Sequence, residues 1–179
     1  MRNRFVAAYV VSLPHNNRWT RNTDLQGIVT AESGQPFTPT LSPGDDNSNT
    51  GNSGQQAGSD RPNVIGNPNA AVNPVTKART RTTDEWFNTA AFAVAPPNTF
   101  GDAGRNSLIG PDYSSFDLSL SRRFTLHDRT TATFEAQSFN LLNHPSYSLP
   151  NPYADQASFG TISSATDPRQ LQFALRLAF

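Results

Sequence analysis

The sequence predicts an all-β protein: about five antiparallel strands that cross a membrane as part of a larger β-barrel, with one very long loop between them. Two observations carry this prediction. Five segments alternate apolar and polar side chains, which is the pattern of a strand with two different faces. Short and long connections also alternate along the chain, and a structureless loop as long as the longest is uncommon in a compact soluble domain.

The composition is compatible with membrane-spanning strands, and the sequence predicts no membrane-spanning helix. Only 35% of residues are hydrophobic and 14 basic residues balance 14 acidic ones, and no apolar run approaches the roughly 18 residues that a membrane helix needs. Transmembrane strands need only about 10 alternating residues each. The balanced charge predicts no nucleic-acid partner, and the absence of cysteine excludes disulfides and thiolate metal sites.

The first strand is predicted over about residues 4–13. Its apolar face consists of Phe5, Ala7, Tyr9, Val11 and Leu13. The basic start at Arg2 and Arg4 makes this segment resemble a short signal peptide, but no small-residue cleavage site follows Pro14. We therefore interpret it as a strand and expect no targeting segment within the sequence.

The second and third strands are predicted over about residues 24–37 and 115–126. The second has Leu25, Gly27, Val29 and Ala31 on one face. Ile28 interrupts its pattern, and Arg122 is the exception on the apolar face of the third. A lipid-facing arginine costs about 2–4 kcal/mol at the bilayer midplane and about 0–1 kcal/mol near the interface. Its place near the strand end favours the interface.

The fourth and fifth strands are predicted over about residues 130–142 and 169–179. The fifth has an unbroken apolar face of Leu171, Phe173, Leu175, Leu177 and Phe179. A soluble protein seldom ends on its most hydrophobic strand, because chain ends fray unless something holds them. Outer-membrane barrels do end on such a strand, so we interpret these five residues as a C-terminal signal for the barrel assembly machinery.

The connections agree with this interpretation. About ten residues join the first two strands, and only His127–Arg129 joins the third and fourth, whereas residues 38–114 and about 25 further residues form the other two connections. Outer-membrane barrels have short periplasmic turns and longer extracellular loops. If Phe179 lies at the periplasmic end, every short connection is periplasmic and loop 38–114 is extracellular. The predicted location is the outer membrane of a Gram-negative-type bacterium, in contact with its lipid.

Two groups of residues are candidates for contact with a ligand. The first group comprises the aromatic residues of the long loop, Trp86, Phe87, Phe92 and Phe100. They form either a platform for a ligand or the small core of the loop itself. The second group comprises the charges predicted to face the barrel lumen, Asp117, Arg123, Glu135 and Arg176.

Nothing in the sequence predicts an enzyme, a metal or a cofactor. His15, His127 and His144 lie far apart, with no H-E-x-x-H or similar metal-binding spacing. No Gly-x-Ser-x-Gly nucleophile motif occurs. The histidines are interpreted as residues of surface connections.

Several motifs in this order resemble the C-terminal end of TonB-dependent outer-membrane receptors. They are Gly-Gln-Pro-Phe-Thr-Pro at 34–39, Trp-Phe-Asn-Thr-Ala-Ala-Phe at 86–92, Phe-Gly-Asp-Ala-Gly-Arg-Asn at 100–106, Gly-Pro at 110–111, Phe-Asp-Leu-Ser-Leu at 116–120 and Phe-Asn-Leu-Leu-Asn-His-Pro at 139–145. The type is Oar-like, with a carboxypeptidase-regulatory-like domain, as in Acidobacteria. The resemblance implies a 22-stranded barrel that takes up a scarce nutrient through coupling to TonB, with a small molecule, sugar or peptide as ligand. The plug and N-terminal domains lie outside these 179 residues.

Five strands alone do not make a stable membrane protein. An open sheet in lipid leaves two edges of unpaired backbone groups, each costing several kcal/mol. We therefore expect this segment to belong to a longer receptor chain, to oligomerise, or to be a truncated reading frame without transport activity. The alternative from a different class is a secreted or periplasmic β-sandwich that binds a ligand.

Overall fold

The structure, a computed structural model, describes residues 3–14, 20–51, 60–127 and 130–179. Its strands, in chain order, are β1 Arg4–Ser12, β2 Thr23–Glu32, β3 Pro36–Phe37, β4 Asn63–Val64, β5 Phe92–Ala93, β6 Leu108–Ile109, β7 Tyr113–His127, β8 Thr130–Phe139 and β9 Gln170–Ala178. One short 3-10 helix covers Thr89–Ala91. In the part of the chain that the structure describes, no helix has the length and apolar character of a membrane span.

The predicted all-β fold is confirmed. Five strands form one antiparallel sheet in the order β1-β2-β7-β8-β9. β2 and β8 end at the end of the sheet where β7 and β9 begin, and the two long connections join these strands. The predicted connections Pro14–Thr23 and His127–Arg129 fall partly on residues 15–19 and 128–129, outside the described residues.

Contacts divide the chain into two compact units. Unit 1 comprises residues 1–33, 112–146 and 166–179 and contains the five-stranded sheet. Unit 2 comprises residues 34–111 and 147–165 and contains the short strand pairs β3–β6 and β4–β5. The predicted long loop is therefore a folded unit, completed by much of the connection between β8 and β9.

β2 is shorter than the predicted strand 24–37 and ends at Glu32. Gly34 lies so close to the chain opposite it that an added Cβ would fall 2.0 Å from the carbonyl oxygen of Gly110, an approach that only glycine permits. Pro36 then lacks a backbone N–H for a ladder, and Pro36–Phe37 pairs with Leu108–Ile109 instead.

β8 likewise ends at Phe139, before the predicted limit at residue 142. Asn140 and Asn143 adopt left-handed backbone conformations, with φ of 49° and 52°, which asparagine tolerates better than most residues. The Asn140 side chain accepts a hydrogen bond from the His144 N–H at 3.0 Å and donates to the His144 carbonyl at 3.1 Å. Residues 140–145 of the Phe-Asn-Leu-Leu-Asn-His-Pro segment therefore form a tight turn that follows the end of β8.

The register places the predicted apolar faces on one side of the sheet. In antiparallel strands, residues directly opposite each other share a face. Val11 lies opposite Leu25, and Leu25 lies opposite Leu120. Leu120 in turn lies opposite Ala136, which lies opposite Phe173. One continuous apolar row therefore crosses all five strands, and the polar positions share the other side.

Unit 2 has an aromatic core. Its buried members are Phe37, Phe87, Ala91, Phe92, Ala103 and Leu108, with Trp86 and Phe159 packed against them. The Phe87 ring lies 5.0 Å from that of Phe159 and 5.8 Å from that of Phe92, both in edge-to-face geometry. Edge-to-face pairs of this kind are a favoured arrangement of aromatic rings. Residues 147–165 join this core through Phe159.

Candidate functional site

The apolar face of unit 1 is exposed. In β9 the exposed fractions are 61% for Leu171, 66% for Phe173, 67% for Leu175 and 58% for Leu177. Phe179 follows the end of the strand and is fully exposed. An apolar surface that continues across a sheet marks contact with a membrane or a partner. The five residues predicted as an assembly signal thus lie where a bilayer would reach them, and their reading by the assembly machinery stays a prediction.

Arg122 lies on this apolar face, opposite Thr23 and Phe134. Its guanidinium lies 4.6 Å from the centre of the Phe124 ring, where the charge is attracted to the electron-rich face of the ring. The contact directs the arginine along β7 towards its C-terminal end. This geometry suits a long cationic side chain that reaches from an apolar surface towards the membrane interface.

The four predicted lumen charges share the opposite face of the sheet. Thr133 lies opposite both Arg123 and Arg176, so these two arginines flank one position of β8. Glu135 lies two residues further along that strand. Arg123, Glu135 and Arg176 form no ion pair with another described residue, whereas Arg4 and Glu32 on the same face are joined at 2.8 Å.

Asp117 has a structural role within unit 1. Its carboxylate accepts hydrogen bonds from the Ser115 hydroxyl at 3.0 Å and from the Asn140 N–H at 2.8 Å. Asp117 therefore joins β7 to the turn that follows β8. The motifs at 116–120 and 139–145, separate in sequence, are connected through this carboxylate and through a hydrogen bond from the Leu141 N–H to the Phe116 carbonyl at 2.8 Å.

The polar face also carries an apolar hollow that the sequence pattern does not predict. Val6 is 50%, Val10 70% and Ile28 47% exposed on the same side as the charges. A hollow of about 360 Å³ includes Val10, Ile28 and Phe139 in its lining, together with Asp117. The sequence signals for it are Ile28, which interrupts the second strand, and the apolar residues Val6 and Val10 on the polar face of the first.

The loop aromatic residues divide between core and surface. Phe87 and Phe92 are 2% and 8% exposed, so they belong to the core of unit 2 and are not available as a surface platform. Trp86 is half-buried, and its indole N–H donates a hydrogen bond to the Ile109 carbonyl at 2.9 Å. The Arg81 guanidinium lies over the Trp86 ring, 5.2 Å from the ring centre. Phe100 alone of the four is largely exposed, at 67%. The loop-core interpretation holds for Phe87 and Phe92.

A buried carboxylate organises the segment that leads into this core. The Glu85 side chain accepts hydrogen bonds from the Thr89 N–H at 3.2 Å, the Thr89 hydroxyl at 2.9 Å, the Asn73 amide and the Thr76 hydroxyl. Burial raises the pKa of Glu85, but these hydrogen bonds outweigh burial and hold its pKa below the ordinary value. The ionised form therefore ties residues 73–76 to the 3-10 helix.

Unit 2 is expected to lose stability in acid through Glu85. Its folded pKa is lowered, so the stabilisation is present above the pKa of the unfolded chain and is lost as the pH falls through the folded value. Hydrogen exchange of the Trp86 amide, which donates to the Gly160 carbonyl, measures the effect in the full-length polypeptide when its protection is compared across pH. Glu85→Gln should flatten the acid dependence, whereas Asp84→Asn should preserve it. Equal acid dependence in both variants would contradict this role.

The histidines and acidic residues give no metal centre among the residues that the structure describes. His144 lies in the turn after β8, where its ring nitrogen is 3.4 Å from the Ser114 hydroxyl. His15 and the side chain of His127 lie outside the described part of the chain. The prediction that the protein is not an enzyme stays a prediction.

The sheet and its exposed apolar face define the class of protein, a β-barrel wall that faces a membrane. The chain belongs to the family described as Outer membrane beta barrel domain, whose sequence model matches residues 1–172. This family is located in the bacterial outer membrane. Searches of curated proteins and of solved structures gave no match. The alternative of a soluble β-sandwich is wrong, since the family is a membrane barrel and unit 1 holds one open sheet.

Proposed function

We propose that this chain is the C-terminal barrel segment of a TonB-dependent outer-membrane transporter, which takes up a scarce nutrient with energy coupled through TonB. The observation that carries the proposal is the ordered set of motifs from 34–39 to 139–145, which resembles the corresponding end of Oar-like receptors. Membership of the outer-membrane barrel family supports it at the level of location and fold.

The roles of the motifs in the fold also support the proposal. Phe37, Phe87 and Ala103 each come from a different one of the three loop motifs, and all three lie in the core of unit 2. Asp117 joins the motifs at 116–120 and 139–145 within unit 1. A set of motifs that builds both units is expected of a family-specific scaffold, because each motif is needed to bury or pair another.

The open sheet supports a longer chain. β1 and β9 are its two edge strands, and each has one strand neighbour among the described residues. Unpaired backbone groups at such edges cost several kcal/mol each in lipid. We infer that further strands of the receptor pair with both edges, that the plug occupies the lumen beside the four charges, and that unit 2 is extracellular. The segment is a structural and substrate-admitting part, not a catalyst.

The proposal predicts the size, location and partner of the native polypeptide. Source cells are fractionated and blotted with an antibody against residues 84–106, and the outer-membrane fraction is passed over the immobilised periplasmic domain of TonB. We expect a band several times larger than 19.5 kDa that the TonB domain retains. An outer-membrane band that TonB does not retain would contradict energy coupling, and a band at 19.5 kDa would contradict the longer chain.

A further inference from the structure

Unit 2 contains a cleft of about 450 Å³, within the usual size range of small-molecule sites. Its apolar lining comes from Phe37, Leu149, Pro150, Pro152 and Tyr153. The other lining side chains carry hydroxyl or amide groups, among them Gln156 and Ser163. Apolar surface with a few directed polar groups is the composition of a ligand site. No local sequence pattern marks this site, because its two sides come from residues 37–38 and 149–163.

The lining sets the charge of the ligand. None of the residues that line the cleft is Asp, Glu, Lys, Arg or His. A charged group that enters a largely apolar cleft loses hydration, and here it would find no opposite charge to compensate. Asp155, close by in sequence, does not line the cleft, and its carboxylate accepts a hydrogen bond from the Ser42 N–H at 2.9 Å. The cleft therefore favours a neutral ligand.

Residues 150–153 of the cleft offer no backbone donor with which an extended peptide could pair as a strand. Pro150 and Pro152 have no N–H group. The Asn151 N–H donates to the Thr161 carbonyl at 2.9 Å, and the Tyr153 N–H donates to the Asn151 side chain at 3.0 Å. The carbonyls of residues 151–153 all accept backbone hydrogen bonds within unit 2. Strand addition needs free main-chain donors and acceptors, and this segment has no free donor.

Tyr153 provides the features that a sugar needs. It is half-buried and is fixed by a parallel bridge to Thr40 and by hydrogen bonds from the Thr40 N–H to the Pro152 carbonyl and from the Ala154 N–H to the Thr40 carbonyl, both at 2.8 Å. Its phenol hydroxyl and the Ser163 hydroxyl have no hydrogen-bond partner among the described residues. A pyranose ring offers an apolar face for stacking and hydroxyl groups for such hydrogen bonds.

We propose that this cleft binds a neutral carbohydrate, stacked on the Tyr153 ring and hydrogen-bonded by the Tyr153 and Ser163 hydroxyls. The proposal names the substrate class of the transporter and therefore rests on the proposed function. The backbone of residues 150–154 is already fixed by hydrogen bonds, which reduces the entropy lost on binding.

Binding is tested with the full-length polypeptide in outer membranes from cells treated with a protonophore. The probes are an array of neutral oligosaccharides built from glucose, mannose, galactose or xylose, and anionic oligogalacturonate. We expect a neutral member of the array to bind and oligogalacturonate not to bind. Tyr153→Ala should weaken binding about tenfold or more, and Tyr153→Phe about two- to tenfold, because it keeps the ring and loses the hydroxyl.

Tyr147→Ala is the matched control, because Tyr147 belongs to the same segment, is 41% exposed and does not line the cleft. It should bind the oligosaccharide like the unmodified protein. The proposal fails if no neutral oligosaccharide binds, if the anionic probe binds more tightly, or if Tyr153→Ala and Tyr147→Ala have the same affinity.

Uptake of the bound oligosaccharide separates this proposal from the proposed function. If binding requires Tyr153 but uptake in untreated cells is insensitive to the protonophore, the cleft is correct and energy coupling is not. If uptake is abolished by the protonophore but is unchanged in Tyr153→Ala, the transporter is correct and the cleft assignment fails.

Discussion

Leu120→Arg is expected to lower the amount of folded protein in the outer membrane several-fold. Leu120 is at the middle of the 15-residue strand β7, in the apolar row between Leu25 and Ala136. A cation at the bilayer midplane costs about 2–4 kcal/mol on a lipid-facing position of a barrel. Losses of this size reduce the steady-state amount of a protein, because misfolded copies are degraded. The amount of folded protein is measured by the heat-modifiable gel mobility of the full-length polypeptide in the outer-membrane fraction.

Ser119→Arg is the matched control for this prediction. Ser119 precedes Leu120 on the same strand and faces the polar side, opposite Gln26 and Gln137. The same cation there can remain hydrated, so the amount of folded protein should stay close to that of the unmodified chain. Arg122→Leu should be neutral or stabilising, because it removes a charge from the apolar face. If Ser119→Arg lowers the folded amount as much as Leu120→Arg, the assignment of faces is wrong.

Phe87→Ala is expected to destabilise unit 2 by about 3–5 kcal/mol, the usual cost of removing a buried phenylalanine ring. Phe87 is 2% exposed and its ring contacts those of Phe37, Phe92 and Phe159 at 5.0–5.9 Å. Loss of the Phe87 ring would leave a cavity and weaken the packing of residues 34–111 against residues 147–165. Amide hydrogen exchange in the full-length polypeptide reports this change at Trp86 and Ile162, whose N–H groups bond to Gly160 and Thr83 across the two segments.

Phe100→Ala is the control for the core prediction. Phe100 is 67% exposed, so its removal leaves no cavity, and surface changes of this kind are usually within about 0.5 kcal/mol. Protection of the Trp86 and Ile162 amides should be unchanged in this variant. Similar loss of protection in Phe87→Ala and Phe100→Ala would mean that the aromatic cluster does not hold the unit together.

Much of unit 1 could be predicted because side chains alternate between the two faces of a strand, and this alternation is visible in the local sequence. The apolar positions of β7 and β9, including Leu118 and Leu175, fall on one face without knowledge of any partner strand. The strand ends were less predictable. Gly34 and Asn140 end β2 and β8 through a close backbone approach and a left-handed turn, and neither feature interrupts the alternation of side chains.

Most of the fold of unit 2 could not be predicted from the sequence. Its long segment has neither a sustained helical period nor an alternating one, so the pattern gave only a choice between a ligand platform and a small core. The structure decides that choice for Phe87 and Phe92 by burying them against Phe159. Nothing local to residues 147–165 indicates this contact, because an aromatic residue in a polar, proline-containing segment is equally compatible with an exposed position.

The sequence by itself determined the all-β class, the five membrane strands, the two faces of their sheet and the outer-membrane location. Each of these follows from the order of apolar and polar residues along the chain, or from motifs that lie within one short segment. The tertiary structure alone decided that the long connections form one folded unit, that Asp117 joins a strand to a turn, and that Tyr153 lines a cleft without charged side chains. These features depend on contacts between residues far apart in the chain, and no local period or composition specifies such contacts.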